Sequence, residues 1–205
     1  MKVADSDPEQ LLHRAKVGDG AALGRLLELY RSYLVVLARV QIGRRLQGKA
    51  DASDVVQEAF LGACRDFPQF RGTCEKEFLG WLRQILASLL ANLVRHYQGA
   101  QRRDVRLERQ LAVELEQSSH ALDRNLIAGQ SSPSEQASRR EQSVLLAAAL
   151  IRLPEEWRQL LILRHLEGLT FPEVAERLGR TVDVVKKQWP RALASLRLLM
   201  VGEKP

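Results

Sequence analysis

Apolar residues recur at intervals of three and four along most of this chain, the spacing of one buried helix face. "DPEQLLHRAKVGDG" opens with Asp7 as a helix cap, Pro8 in the first turn and Gln10 placed to reach back, and it closes at Gly18 and Gly20. "AALGRLLELYRSYLVVLARVQIG" follows, with Leu23, Leu26, Leu27, Tyr30, Leu34, Leu37 and Ala38 on one stripe, and reads as one long helix. A third helix starts at "DASDVVQEAFLGACRDF", where Asp54 followed by Gln57 gives a capping signal. "PQFRGTCEKE" breaks the pattern, and "FLGWLRQILASLLANLVRHYQ" forms a fourth helix.

Beyond Gly99 the periodicity weakens. "QRRDVRLERQLAVELEQ" is compatible with a helix, whereas "SSHALDRNLIAGQSSPSEQAS" is rich in Ser, Gln and small residues and reads as a flexible tether. Periodicity returns from about residue 141. The expected organisation is all-α: a four-helix module over residues 1–99, a linker over 100–140 and a second helical module over 141–205.

Within the second module, "LTFPEVAERLGRTVDVVKKQW" carries a helix-turn-helix pattern. Thr170 and Glu173 form a capping box, Pro172 suits the first turn, and Gly179 supplies the positive φ of a tight turn. Ala175 lets the second helix cross the first closely, and Val185 locks it there. An ordinary αα-corner fits Ala175, Gly179 and Val185 alone. The faces favour the DNA-reading arrangement, in which the second helix enters the major groove. Val182, Val185, Trp189, Leu193 and Leu196 share one stripe, which makes Trp189 a core residue. Asp183, Lys187, Arg191 and Ala194 lie opposite, flanked by Val184 and Lys186. Pro190 falls on the outward side and removes the hydrogen bond to Lys186. It either kinks one continuous helix or opens a new one after Trp189, and the kink is favoured because Trp189 is a poor N-cap.

The formal charge of +6 fits a polyanionic partner without demanding one. Cys64 and Cys74 are the only cysteines, and His13, His96, His120 and His165 are scattered. Neither a disulfide framework nor a metal site is expected, and a reducing cytoplasm fits. No nucleophile–base set or phosphate loop is present, so neither catalysis nor a cofactor is expected. The most apolar run, "EFLGWLRQILASLLANLV", contains Arg83, Gln84 and Asn92, and no membrane insertion or signal peptide is expected.

"LIRLPEEWRQLLILRHLEGLTFPEVAERLGRTVDVVKKQWPRALASLR" resembles region 4 of the sigma-70 family, which reads the promoter −35 element. "DASDVVQEAFLGACRDFPQFRG" resembles the polymerase-binding helix of region 2, and "FLGWLRQILASLLANLVRHY" is similar to its −10 recognition helix. The two modules, with a short linker between them, resemble an extracytoplasmic-function (ECF) sigma factor. That resemblance implies three partners: core RNA polymerase (through its β′ clamp coiled coil and β flap), promoter DNA and an anti-sigma factor. It also implies the site residues. Asp54, Gln57, Glu58, Leu61 and Cys64 face the polymerase, Cys64 as a small apolar contact. Phe70, Arg71, Gly72 and Thr73 form the pocket for an unstacked −10 base, with Trp81, Arg83, Gln84, Ser88, Asn92 and Arg95 on the following helix. Trp81 also fits a core anchor beside Ile85. Thr181, Asp183, Val184, Lys186, Lys187, Gln188 and Arg191 read the −35 element. Arg102 and Arg103 fit either phosphate contacts or a solvated face balanced by Asp104 and Glu108. A stand-alone helix-turn-helix regulator with a helical sensing domain is the alternative, and it has no need of the Asp54–Glu58 surface.

Overall fold

The computed structural model describes residues 7–46, 49–98, 104–123 and 136–201. Among the described residues every regular element is helical. They run α1 (Pro8–Lys16), α2 (Gly20–Leu29), α3 (Arg31–Arg45), α4 (Ala52–Asp66), a 3₁₀ turn (Phe67–Gln69), α5 (Glu75–Gln98), α6 (Val105–Asp123), α7 (Gln136–Arg152), α8 (Glu155–Leu161), a π turn (Ile162–Leu166), α9 (Phe171–Leu178) and α10 (Val182–Val201). The chain divides into two compact units, residues 1–116 and 117–205.

In the first unit α1 packs on α2, and α4 packs on both α3 and α5. Asp7 caps α1 by accepting from the Glu9 N–H, and Asp19 caps α2 by accepting from the Ala22 N–H. The single long helix expected over residues 21–43 is two helices that change direction at Tyr30. Tyr30 lies outside helical geometry (φ −97°, ψ 2°) and is fully buried, so its ring anchors the corner. Leu26, Leu27, Leu34, Leu37 and Val40 from the two helices all enter the core.

Within the stretch expected to be linker, the described residues are mainly helical. α6 runs through Val105–Asp123, including the serines at 118 and 119, and α7 begins at Gln136. Leu111 and Leu115 are fully buried. Three polar contacts fasten α6 within the first unit: Arg45 to Glu114 at 2.6 Å, Arg83 to Glu116 at 2.6 Å, and the Ser88 hydroxyl donating to Glu108. Arg102 and Arg103 lie outside the described residues.

In the second unit α10 is the central helix and packs on α7, α8 and α9. Val185, Ala192 and Leu196 of α10 are fully buried, as is Val174 of α9. The largely buried guanidinium of Arg158 on α8 donates to the Ile151 carbonyl at 2.8 Å and pairs with Glu155, tying α8 to the end of α7.

Candidate polymerase and promoter interfaces

α4 starts one turn earlier than its capping signal implied. Asp51 is the cap, and its carboxylate accepts from the Ser53 N–H at 2.6 Å and the Asp54 N–H at 3.4 Å. These backbone bonds hold the Asp51 carboxyl below the ordinary carboxylate range. Asp54 is thereby relieved of the capping role and stands exposed in the first turn. Val55, Val56, Ala59, Phe60 and Ala63 turn inward, while Asp54, Gln57, Glu58, Leu61 and Cys64 are all exposed on the other side. Leu61 is 65% exposed, a large apolar side chain in the middle of an acidic and polar strip. Gln57 is steadied by Arg31, whose guanidinium donates to its Oε1 at 3.0 Å, pairs with Glu28 and lies 5.0 Å over the Phe60 ring. Nothing near Gln57 in the sequence signals that partner, which arrives from α3.

The loop between α4 and α5 is folded against an aromatic cluster. Phe70 lies 5.9 Å from Phe67, 5.0 Å from Trp81 and 5.7 Å from Phe78, measured between ring centroids. Gly72 is required by space: a Cβ there would lie 2.3 Å from Phe70 Cζ and 2.9 Å from Glu77 Cβ. Thr73 then turns its N–H (2.6 Å) and hydroxyl (3.2 Å) onto Glu77 Oε2, and the Thr73 N–H bond is the main reason the Glu77 carboxyl lies below its ordinary range. The Glu9 carboxylate of α1 accepts from the Glu75 N–H at 3.1 Å and supports the start of α5. Lys16 of α1 places its ammonium 5.7 Å from the Phe70 ring centre. Phe70 and Trp81 are thus both half-buried partners of one cluster, and Arg71 and Thr73 are exposed at its rim.

Along α5 the expected −10 residues divide. Gln84 and Asn92 are exposed, and Arg95 bonds to Asn92 and to the Ala91 carbonyl. Arg83 and Ser88 are turned to internal partners instead. Arg83 donates to the Tyr33 hydroxyl at 3.0 Å and pairs with Glu116, and only 12% of its side chain is exposed. Its charged form is favoured by those two groups against the cost of burial. Ser88 is held by Glu108. Polar residue type pointed both outward, but the partners come from α3 and α6.

The helix-turn-helix geometry carries the expected features. Thr170 and Glu173 form the capping box, with the Thr170 N–H donating to Glu173 Oε2 at 2.7 Å. Gly179 adopts φ 63°, which a side chain would oppose. α10 continues unbroken through Pro190. Thr181, Asp183, Val184, Lys186, Lys187, Pro190 and Arg191 are exposed, and Gln188 is half-buried. A row of cations on the free side of a helix held by its other side is suited to phosphates and base edges.

A family model described as ECF sigma factor matches residues 6–198. The chain belongs to the ECF sigma factor family. Among curated relatives, the ECF RNA polymerase sigma factor BldN of Streptomyces coelicolor is 28% identical over 200 residues, covering 96% of this chain and 68% of that one. The ECF RNA polymerase sigma-E factor of Haemophilus influenzae is 29% identical over 187 residues, with 90% of each chain covered. The RNA polymerase sigma-H factor of Pseudomonas aeruginosa is 30% identical over 185 residues, covering 90% of this chain and 89% of that one.

As an ECF sigma factor the chain acts in transcription initiation, directing RNA polymerase to promoters. The match runs through both helical units, so the α4 surface and the helix-turn-helix belong to one family architecture. No helix among the described residues is long and apolar enough to cross a membrane.

Proposed function

We propose that this sigma factor grips core polymerase through Asp54, Gln57, Glu58, Leu61 and Cys64 on α4, holds an unstacked −10 base against the Phe70–Thr73 loop, and reads the −35 element with the exposed face of α10. The observation that carries the reading is the α4 surface: five side chains exposed together, with capping assigned to Asp51 and helix packing to the opposite face. None of the five caps the helix or enters its core, and only Gln57 has a described partner on another helix, which leaves the strip open to a binding surface. Leu61 supplies apolar area at the centre, and Asp54 and Glu58 supply charge around it.

On the −10 side, Gln84, Asn92 and Arg95 lie on the α5 face that continues from the loop, and they are the side chains proposed to follow the opened strand. Arg83 and Ser88 act through Tyr33 and α6 in this reading, fixing the helix that presents the others. On the −35 side, Lys186, Lys187 and Arg191 neutralise phosphates, and Thr181, Asp183, Val184 and Gln188 meet base edges. The protein works in the cytoplasm beside polymerase, without a catalytic step of its own, and is held in reserve by an anti-sigma partner.

The test is capture of purified core polymerase by the full chain, compared with the Asp54→Ala, Gln57→Ala double variant. Capture by the parent and its loss in the variant are expected. A parent chain that captures no polymerase would sink the proposal.

A further inference from the structure

We infer that His165 is a positioning residue for promoter recognition: its imidazole, stacked on Trp189, sets the aim of the cationic face of α10 where Pro190 leaves the Lys186 carbonyl without its helical hydrogen bond. The inference rests on the proposed −35 role of that face and adds to it a residue outside the recognition helix.

Pro190 has no N–H to give the Lys186 carbonyl, so the helical ladder of α10 lacks one rung at the level of its cations. Sharp bends in helices concentrate at such points. The ring just before the missing rung is held from two directions. His165 lies face to face with Trp189, centroids 4.9 Å apart and planes 26° apart. Phe171, the first residue of α9, meets the same indole edge-on at 5.6 Å and 82°. Both distances are within the range of favourable aromatic pairing.

These two rings are themselves tied down. The Arg164 guanidinium lies 5.2 Å over Phe171, and its Nη1 donates to the Leu169 carbonyl at 3.2 Å. His165 sits in the π turn Ile162–Leu166, closed by the Glu167 N–H on the Ile162 carbonyl at 3.1 Å. A π turn adds one residue to a helical turn and re-aims the side chains within it. Here Ile162, Leu163 and Leu166 remain buried, while His165 is turned outward to reach the indole.

Burial alone does not account for the stack. The inward side of α10 is anchored by Val185, Ala192 and Leu196, all fully buried, whereas Trp189 is only half-buried at the margin of that core. A ring at the margin, gripped on a face and an edge, resists rotation of the helix about its axis more than it resists separation. Rotation is the motion that would move Lys187 and Arg191 relative to a groove.

The experiment uses the full chain bound to core polymerase and two labelled duplexes. One is a genomic promoter fragment that yields a polymerase-dependent start in run-off transcription, and the other is the same fragment with its −35 segment scrambled. His165→Ala is expected to lower the ratio of the two affinities about tenfold, the scale of one lost base contact. The slope of affinity against salt and the capture of core polymerase should both stay at the parent values, because no cation has been removed. His165→Phe, which restores a stacking ring, should recover the ratio. A ratio within about twofold of the parent in His165→Ala, well below one base contact, overturns the inference. Equal losses in the Ala and Phe variants overturn it as well. A parent protein with no preference for the intact duplex removes the proposed −35 reading and the inference together. A discriminating parent with an indifferent His165→Ala removes the inference alone.

Discussion

The buried hydroxyl of Tyr30 donates to Glu75 Oε1 at 2.6 Å, joining the α2–α3 corner to the first turn of α5. The Glu75 N–H is in turn held by Glu9 of α1, so α1, the α2–α3 corner and α5 converge beside the loop that precedes α5. Tyr30→Phe keeps the buried ring and removes only the hydroxyl. A hydrogen bond to a charged group contributes about 1.5–3 kcal/mol, and a loss of that order is expected. Urea denaturation should show a lower midpoint with an unchanged slope. An unmoved midpoint would mean that the Tyr30–Glu75 bond contributes no net stability.

The two aspartates at the start of α4 separate stability from function. Asp51→Ala removes the cap and should cost about 1 kcal/mol. Asp54→Ala removes an exposed side chain and should change stability by no more than about 0.5 kcal/mol, yet weaken capture of core polymerase. Thermal melts and polymerase capture on the two variants give the comparison. If Asp54→Ala melted as early as Asp51→Ala, its effect on polymerase would be merely structural.

Gly72→Ala should act on the −10 side alone. The added methyl would have to displace the Phe70 ring and crowd the Glu77 side chain, and overpacking of this kind costs about 1–3 kcal/mol. Fluorescence of 2-aminopurine placed in the −10 segment should report slower strand opening by the variant holoenzyme. Affinity for a −35 duplex should be that of the parent. Equal loss at both elements would show that the substitution unfolds more than the loop.

The helical periods of α4, α9 and α10, and the division of α10 into a buried and a cationic face, were legible in the sequence because each depends on neighbours within a turn or two. The break at Tyr30 was hidden by its own hydrophobicity: Leu26, Leu27, Tyr30 and Leu34 keep helical spacing straight through the corner. The cap of α4 was misplaced because Asp51 and Asp54 both fit the pattern, and the choice is made by packing. Starting at Asp51 puts Ala52 and Val55 into the core within the first turn. Arg83 and Ser88 look like outward polar residues until Tyr33, Glu108 and Glu116 are brought to them. The partners of Trp189 were equally invisible, since His165 and Phe171 come from other elements.

Acid should loosen the second unit in two stages. Desolvation, reinforced by Arg164, holds the His165 pKa below its ordinary value of 6.5. The folded form then binds fewer protons than the unfolded chain, so stability is full above about pH 6.5 and falls as pH drops through the folded value. The Glu173 carboxyl lies below its ordinary 4.5 because the Thr170 hydroxyl and N–H donate to it, and the same sign adds a second loss below that pH. Melting temperature followed from pH 8 down to pH 4 should therefore decline. His165→Phe should remove the earlier limb and leave the later one. A parent whose stability rose on acidification through this range would contradict the assignment.

Pro190→Ala tests whether the missing rung is used or only tolerated. Restoring an N–H opposite the Lys186 carbonyl should stabilise the protein, by up to about 3 kcal/mol. The greater freedom of alanine in the unfolded chain offsets about 0.4–1 kcal/mol of that gain. Lys187 precedes the proline and Arg191 follows it, so restoring the rung between them is expected to alter their relative aim without changing the number of cations. Affinity for an intact −35 duplex should shift while its salt dependence does not. Lys187→Ala should behave in the opposite way, weakening intact and scrambled duplexes alike and reducing the salt slope by about 0.9. If Pro190→Ala gains stability and binds both duplexes as the parent does, the clamp of His165 and Phe171 on Trp189 already dictates the aim of α10, and the proline contributes nothing to it.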